Sequence, residues 1–324
     1  MDIREIKAFL SEPMAQVEKL ISEELQSDIA LLDATNRSLL AQGGKRIRPV
    51  LSLLAAGACG GIGADSVRFA ATAELMHNAT LLHDDVVDGA TVRRGKPTVM
   101  SILSGPASVL VGDYWLVKAI RCILSAERYS EQVIRLYAKT LSDLAEGELF
   151  QLQKASLADT TREDYLRIVY CKTASLFEAA ILSGAVSAGA PEEWTAALAA
   201  YARNLGVAFQ MKDDIFDYGE AAVGKPVGID LREQKITLPL LCALDSVSAE
   251  EGADIRRMVA GITSDPALEP RVHDFVLSHG GVDAAAREMD ACIEEAVAAL
   301  EALPSSRERE CLVELARFVG TRTS

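Results

Sequence analysis

The chain has 324 residues, of which 49% are hydrophobic and 25% charged, a balance that supports a packed core and excludes a disordered chain. Its formal net charge of −14 argues against nucleic acid as a partner, because an acidic surface repels phosphate backbones. Aromatics make up only 5% while alanine and leucine abound, a composition that packs helices better than sheets.

Helical periodicity starts at the N-terminus with Ile3, Ile6, Phe9 and Leu10 and continues through Met14, Val17, Leu20, Ile21 and Leu25. Segments 65–88, 98–126, 130–157, 163–188 and 192–218 read as long helices. Shorter ones follow at about 236–246, 249–263, 268–279, 282–302 and 305–319. Breaks fall at Gly43-Gly44, Gly60-Gly61, Gly95-Lys96-Pro97, Gly189-Ala190-Pro191 and Gly224-Lys225-Pro226. Strand-like alternation is scarce. The expectation is one all-α domain spanning 1–324, with long helices around a central cavity. The N-terminal segment is charged and amphipathic without an apolar signal region. No uninterrupted apolar run of about 18 residues occurs, so a cytoplasmic chain with no transmembrane segment is expected. The six cysteines, at 59, 122, 171, 242, 292 and 311, form no CxxC pair and read as small apolar residues in a reducing compartment.

Two near-identical acidic motifs end long apolar helical segments: Asp84-Asp85-Val86-Val87-Asp88 and Asp213-Asp214-Ile215-Phe216-Asp217. On a helix, Asp84 and Asp88 share one face, as do Asp213 and Asp217. Like charges at that spacing destabilise a helix, and acids at its C-terminus oppose the macrodipole. Both costs vanish when divalent cations sit between the carboxylates. Oxygen-only ligands suit Mg²⁺, which keeps waters and favours phosphate as a co-ligand. A calcium-binding hand is excluded by the missing loop glycine and terminal glutamate.

Three basic clusters stand out against the acidic background: Gly43-Gly44-Lys45-Arg46-Ile47-Arg48-Pro49, Arg93-Arg94-Gly95-Lys96-Pro97, and the stretch from Lys225 to Lys235. Arginine offers planar forks to phosphate oxygens and lysine a point charge. Neither a P-loop nor a dinucleotide fingerprint is present. Basic turns close after both acidic motifs suit a diphosphate held through Mg²⁺ on one side and cations on the other.

These stretches, together with HNATLLHDDVVD at 77–88, KTASLFEAA at 172–180, GVAFQMKDDIFD at 206–217, GKPVGIDL at 224–231 and KITLPLL at 235–241, resemble the trans-isoprenyl diphosphate synthases, or polyprenyl synthetases. The resemblance implies the all-α isoprenoid-synthase fold, a homodimer, and Mg²⁺-dependent head-to-tail condensation of isopentenyl diphosphate with an allylic diphosphate. Transient membrane contact would serve only product release. By motif, Asp84, Asp88 and Asp213 would ligate Mg²⁺, with Asp217 more peripheral. Lys45, Arg48, His77 and Arg94 would hold isopentenyl diphosphate. Arg93, Lys172, Lys225 and Lys235 would bind the allylic diphosphate, and Thr173 and Gln210 would turn their oxygens toward the allylic cation. His83, Arg46 and Asp85 read as structural, and Glu146 and Glu148 receive no catalytic role. Gln234 stands where many relatives carry glycine, which leaves the placement of Lys235 open.

The helix ending in Asp84 also serves as a ruler in this family. Thr80 and Ala79, where short-chain relatives carry an aromatic, are small here, as is Ala73, and Met76 is flexible. The resemblance therefore implies a product of about C30–C50, since one helical turn of about 5.4 Å matches one isoprene unit, and Ala79→Phe is expected to shorten it. The competing readings are a short-chain synthase closed by residues elsewhere, a terpene cyclase of the same fold, and a non-catalytic subunit. The second DDxxD motif with Lys45 and Arg48 argues against the cyclase, and the two intact acidic motifs argue against the subunit.

Overall fold

The structure, a computed structural model, describes residues 3–93, 95–219 and 228–322. The chain runs through α1 (Ile3–Phe9), α2 (Ser11–Glu24), α3 (Ala30–Ala41), α4 (Ile47–Ala58) and α5 (Ala64–Val87). A two-residue antiparallel ladder, β1 (Val92–Arg93) with β2 (Lys96–Pro97), follows, pairing Arg93 with Lys96. Next come α6 (Val99–Ile102), α7 (Gly105–Leu124), α8 (Ser130–Leu157), α9 (Arg162–Val169), a π-helical turn at Tyr170–Ala174, α10 (Ser175–Ser187) and α11 (Glu192–Phe216). The last stretch holds α12 (Ile229–Arg232), α13 (Leu238–Leu244), α14 (Ala249–Gly261), α15 (Leu268–Ser278), α16 (Gly281–Ala299) and α17 (Arg307–Thr321). Apart from that single ladder, the regular structure of the described residues is helical, as the composition predicts.

Three expected helices are interrupted, each for a local reason. The 98–126 segment splits because Ser104 leaves helical geometry and caps α7 by accepting the Ala107 N–H at 3.2 Å, with Pro106 in the first turn. Thr98 caps α6 in the same way, through the Ser101 N–H at 3.1 Å. The 163–188 segment carries the π turn at Tyr170–Ala174, a change of hydrogen-bond register that apolar periodicity does not reveal. The N-terminal segment breaks at Leu10, between α1 and α2.

The chain divides into two compact units. The first comprises Met1–Ala138, Ala179–Ala199 and Ala302–Glu314. Its core is built from α4, α5 and α7, around Leu51, Leu54, Phe69, Leu75 and Trp115. Burying each such side chain contributes about 1.5–3 kcal/mol. Trp115 donates its indole N–H to Asn36 Oδ1 at 2.8 Å, and Asn36 donates in turn to the Leu25 carbonyl at 2.8 Å, so the indole N–H and the Asn36 amide oxygen and nitrogen each have a partner. Helices α5 and α7 pack closely. A Cβ at Gly112 would sit 2.4 Å from His83 Nε2 and 3.2 Å from the Ala79 carbonyl, so glycine is required there.

The second unit comprises Lys139–Glu178, Ala200–Glu301 and Leu315–Ser324. It buries Tyr201, Leu205 and Ala208 of α11 and a cluster from α13, α15 and α16 that includes Leu240, Val272, Val276 and Met289. Helix α9 starts with a reciprocal cap: Thr161 Oγ1 accepts the Asp164 N–H at 3.2 Å, and Asp164 Oδ2 accepts the Thr161 N–H at 3.0 Å. The stretch Arg162–Ser187 is long and apolar enough to cross a bilayer, yet 78% of its most apolar window is buried, the property of a core helix. All six cysteines are free. Burial raises the Cys59 thiol to about 11 and the Cys122 thiol, where the Glu24 charge adds to burial, to about 12, which keeps both protonated and unreactive.

Candidate active site

In the first unit, three sequence-predicted groups meet along α5. The acidic motif ends the helix, with Asp84 half-buried, Asp85 buried and Asp88 exposed as the C-cap. The Asp88 N–H donates to the Asp84 carbonyl at 2.8 Å, so the helical register that puts Asp84 and Asp88 on one face is maintained. Asp85 faces the other way and accepts from Arg93 Nε at 2.6 Å. The middle aspartate thus fixes the basic hairpin beside the metal-ligand candidates, the structural role expected of it. Arg94 lies outside the described residues.

The 43–48 turn is tied to the same helix. Arg46 adopts a left-handed backbone, φ 53°, immediately before α4. Such a conformation costs a non-glycine residue about 1–2 kcal/mol. The offset comes from Arg46 Nη1, which meets the buried Glu74 Oε1 at 2.5 Å, while Asn78 Nδ2 donates to the same oxygen at 3.0 Å. Lys45 is exposed, and Arg48 and His77 are half-buried. A cavity of about 70 Å³ is lined by Gln42 and Gly43 of the turn, Asn78 and Asp85 of α5, and Arg93 and Lys96 of the hairpin. Glu74 and Asn78 were given no role by the sequence, and Lys96 entered only as part of its basic cluster. The available signal was an acid inside the apolar run Ala71–Met76, which a core tolerates only when paired.

In the second unit, Asp213 accepts from Arg322 Nη2 at 2.7 Å. Asp217 accepts the backbone N–H groups of Ile229 at 3.1 Å and Asp230 at 3.0 Å. Each of its oxygens thereby accepts one backbone N–H at the start of α12. Asp214 is buried and accepts from Tyr165 Oη at 2.6 Å and Gln210 Nε2 at 2.9 Å. Burial pushes its carboxyl up to about 6, against the pull of those two hydrogen bonds, and the neighbouring Asp213 and Asp217 charges push the same way as burial. Asp230 is raised well above the carboxylate range, by burial first and then by the Asp214 and Asp217 charges.

Lys172 and Lys235 line one cavity of about 120 Å³ with Gln151, Gln210, Asp214 and Asp230. The π turn presents Lys172, whose Nζ meets Glu148 Oε2 at 2.6 Å and donates to Gln151 Oε1 at 3.1 Å. Glu148 therefore fixes the Lys172 ammonium group. Lys235 lines this cavity, and Gln234 precedes it. That residue takes the left-handed backbone, φ 57°, and its amide caps α14 by donating to the Ala260 carbonyl at 2.6 Å. The Gln210 carbonyl oxygen accepts the Thr173 hydroxyl at 2.8 Å. The amide nitrogen is held by Asp214, so the oxygen can only turn to Thr173. Lys225 lies outside the described residues.

The donor set fits Mg²⁺. The candidate ligands are carboxylates alone, and among the described residues no three His, Cys, Asp or Glu groups converge on one point. One or two carboxylates completed by phosphate oxygens and water is the habit of Mg²⁺ rather than of Zn²⁺ or Ca²⁺. Asp213, turned toward the Arg322 guanidinium, already faces a cation.

Residues 29–272 match the polyprenyl synthetase family model. Octaprenyl diphosphate synthase of Escherichia coli (strain K12) is 39% identical over 325 residues, covering 99% of both chains. The crystal structure of a decaprenyl diphosphate synthase from Rhodobacter capsulatus superposes with a TM-score of 0.93 at 36% identity, covering 100% of both chains. That of a polyprenyl synthase from Caulobacter crescentus CB15, complexed with calcium and isoprenyl diphosphate, gives 0.91 at 38% identity, covering 100% of this chain and 98% of that one. The fold expected from the sequence is thus the fold found, all-α and of the isoprenoid-synthase type. With its acidic motifs, basic turns and helical frame in the same order, the chain belongs to the polyprenyl synthetase family of trans-prenyltransferases.

Proposed function

We propose that the chain acts as one polyprenyl synthetase domain over 1–324 and condenses isopentenyl diphosphate head-to-tail with an allylic diphosphate, in repeated cycles, to an all-trans product of about C30–C50. The observation that carries this reading is the cavity where Lys172 and Lys235 meet Gln210 beside the second acidic motif. It offers cations for a diphosphate and a polar wall for a carbocation. Asp84, Asp88 and Asp213 would hold Mg²⁺, which when bound neutralises the charge developing on the pyrophosphate leaving group. Lys172, kept in place by Glu148, and Lys235 bind and orient the allylic diphosphate. The 43–48 turn, anchored through Arg46 and Glu74, presents Lys45 and Arg48 to isopentenyl diphosphate together with His77. The allylic C–O bond breaks and pyrophosphate leaves. The isopentenyl double bond then attacks the allylic carbon, and the proton lost goes to pyrophosphate. Among the described residues, the chain needs no nucleophile for this chemistry, in keeping with its buried thiols.

The long-chain reading rests on the ruler positions of α5: Ala73 and Ala79 are buried and small, and Thr80 is half-buried. Homodimer formation has its support in α7, where Leu110, Val117 and Leu124 are exposed at seven-residue intervals on one face. The test is incubation of the purified chain with Mg²⁺, labelled isopentenyl diphosphate and allylic primers of increasing length, followed by product sizing. Condensation that requires Mg²⁺ and disappears in Asp84→Ala is expected. Turnover by the wild-type chain without added divalent metal would overturn the assignment of the carboxylates.

A further inference from the structure

A set of hydrogen bonds that all donate toward Asp214 runs through the second unit. Tyr165 Oη donates to Asp214 Oδ2 at 2.6 Å. Gln210 Nε2 donates to Asp214 Oδ1 at 2.9 Å, and Thr173 Oγ1 donates to Gln210 Oε1 at 2.8 Å. Tyr165, Asp214 and Thr173 are buried, at 3%, 3% and 8% exposure. The links come from α9, α11 and the π turn, which the fold brings together tightly. A Cβ at Gly206 of α11 would lie 2.4 Å from Ala174 Cα, and one at Gly147 of α8 would lie 2.4 Å from Cys171 Cβ. The π turn is therefore wedged between two glycines, and Thr173 has little freedom to leave Gln210.

The direction of these bonds matters because an amide has two opposite ends. A carboxylate only accepts, so Asp214 obliges Gln210 to turn its NH₂ toward it and its carbonyl toward Thr173. Thr173 must then commit its one proton to Gln210, and what it has left for a ligand is lone pairs. If Gln210 flipped, it would donate to Thr173. The hydroxyl proton would then be released outward, and the dipole facing the ligand would change sign. Tyr165 completes the arrangement by holding the second carboxylate oxygen.

We propose that Tyr165 and Asp214 are positioning residues that lock Gln210 in the orientation making Thr173 an acceptor dipole for the allylic cation. The inference rests on the function proposed above and on the expectation, drawn from the family resemblance, that Thr173 turns its oxygen toward that cation. Fixed dipoles aimed at developing charge act without reorganisation, and removing one costs about 10²–10³-fold in kcat. Asp214→Asn introduces an amide that can donate to Gln210 and permit its flip, with almost no change of shape. Tyr165→Phe removes a single hydroxyl.

The full chain would be assayed with Mg²⁺, labelled isopentenyl diphosphate and an allylic primer. Asp214→Asn is expected to lower kcat about 100-fold and Tyr165→Phe about 3- to 10-fold. Both KM values and the half-saturating Mg²⁺ concentration should stay within about twofold of wild type, a split that a merely structural defect or a lost metal ligand would not produce. A primer fluorinated next to the reacting carbon, which destabilises the cation, should be slowed further in both variants than in wild type. An unchanged kcat in both variants overturns the inference, as does a rise in the Mg²⁺ requirement of Asp214→Asn with kcat restored at saturating metal. A wild-type chain that fails to condense the substrates at all defeats the functional reading, and the inference with it.

Discussion

Arg322 holds Asp213. The guanidinium donates to Asp213 Oδ1 at 2.7 Å and to the Phe209 carbonyl at 2.9 Å, and it stacks 4.1 Å over Phe209 and 5.3 Å from Phe216. Arg322 is 6% exposed, so a fixed positive charge stands where the proposed function asks for a divalent cation nearby. Arg322→Ala removes that competitor. The half-saturating Mg²⁺ concentration should fall about three- to tenfold, and the chain should lose about 1–2 kcal/mol of stability, since the Asp213 side of the pair is partly solvated. Metal titration of turnover and a denaturant melt check the two effects. A higher Mg²⁺ requirement would instead mark Arg322 as an orienting partner of Asp213.

The ruler positions differ in what they touch. Ala79 shares its side of α5 with His83, and that side packs on Gly112 of α7. Thr80 lies about 40° around the helix from Asp84 and is half-buried. Thr80→Phe should shorten the product with little loss of stability. Ala79→Phe should shorten it too, at a packing cost of about 1–3 kcal/mol. Chromatography of the products with thermal melts of both variants decides. Unchanged lengths in both would remove α5 from the length-setting role.

Gln234 combines a conformation suited to glycine with a side chain that caps α14. Gln234→Ala keeps the left-handed backbone and loses the cap, so it should destabilise by about 1 kcal/mol. Gln234→Gly loses the cap but relieves the backbone and should be close to neutral. Equal losses of stability in the glycine and alanine variants would show that the cap alone matters.

At the start of α9, burial is the largest single influence on the Asp164 carboxyl and raises it, but the Lys154 and Thr161 hydrogen bonds together outweigh it and lower the group from its ordinary value. A depressed folded pKa contributes stability that is present above the ordinary carboxylate range and lost as pH falls through the folded value. The stability gap between wild type and Asp164→Asn should therefore be widest near neutral pH and narrow on acidification toward pH ~3. A gap that does not change with pH would assign the effect to the cap geometry alone.

Much of this protein is written locally. Apolar periodicity placed the long helices because a 3.6-residue repeat needs no partner to be read; the spacing of the paired DDxxD motifs singled out Asp84, Asp88, Asp213 and Asp217, whereas Lys172 and Lys235 came forward only through the resemblance to the family. The break at Ser104 was also legible, through Ser-Gly-Pro, but the apolar run masked it. Tyr165, Glu74 and Arg322 were not legible: each acts on a residue far away in sequence, and nothing near it distinguishes it from an ordinary tyrosine, glutamate or arginine.

Composition and spacing by themselves thus determined the helical class and the two acidic motifs, and the order of the motifs carried the resemblance to the family, because those depend on chemistry repeated at short range. Only the tertiary structure decided the π turn wedged between Gly147 and Gly206, the end of Gln210 that faces Thr173, and the cation that sits on Asp213. Those are matters of orientation at buried polar contacts. Their energy depends on which atoms close packing brings within hydrogen-bond reach.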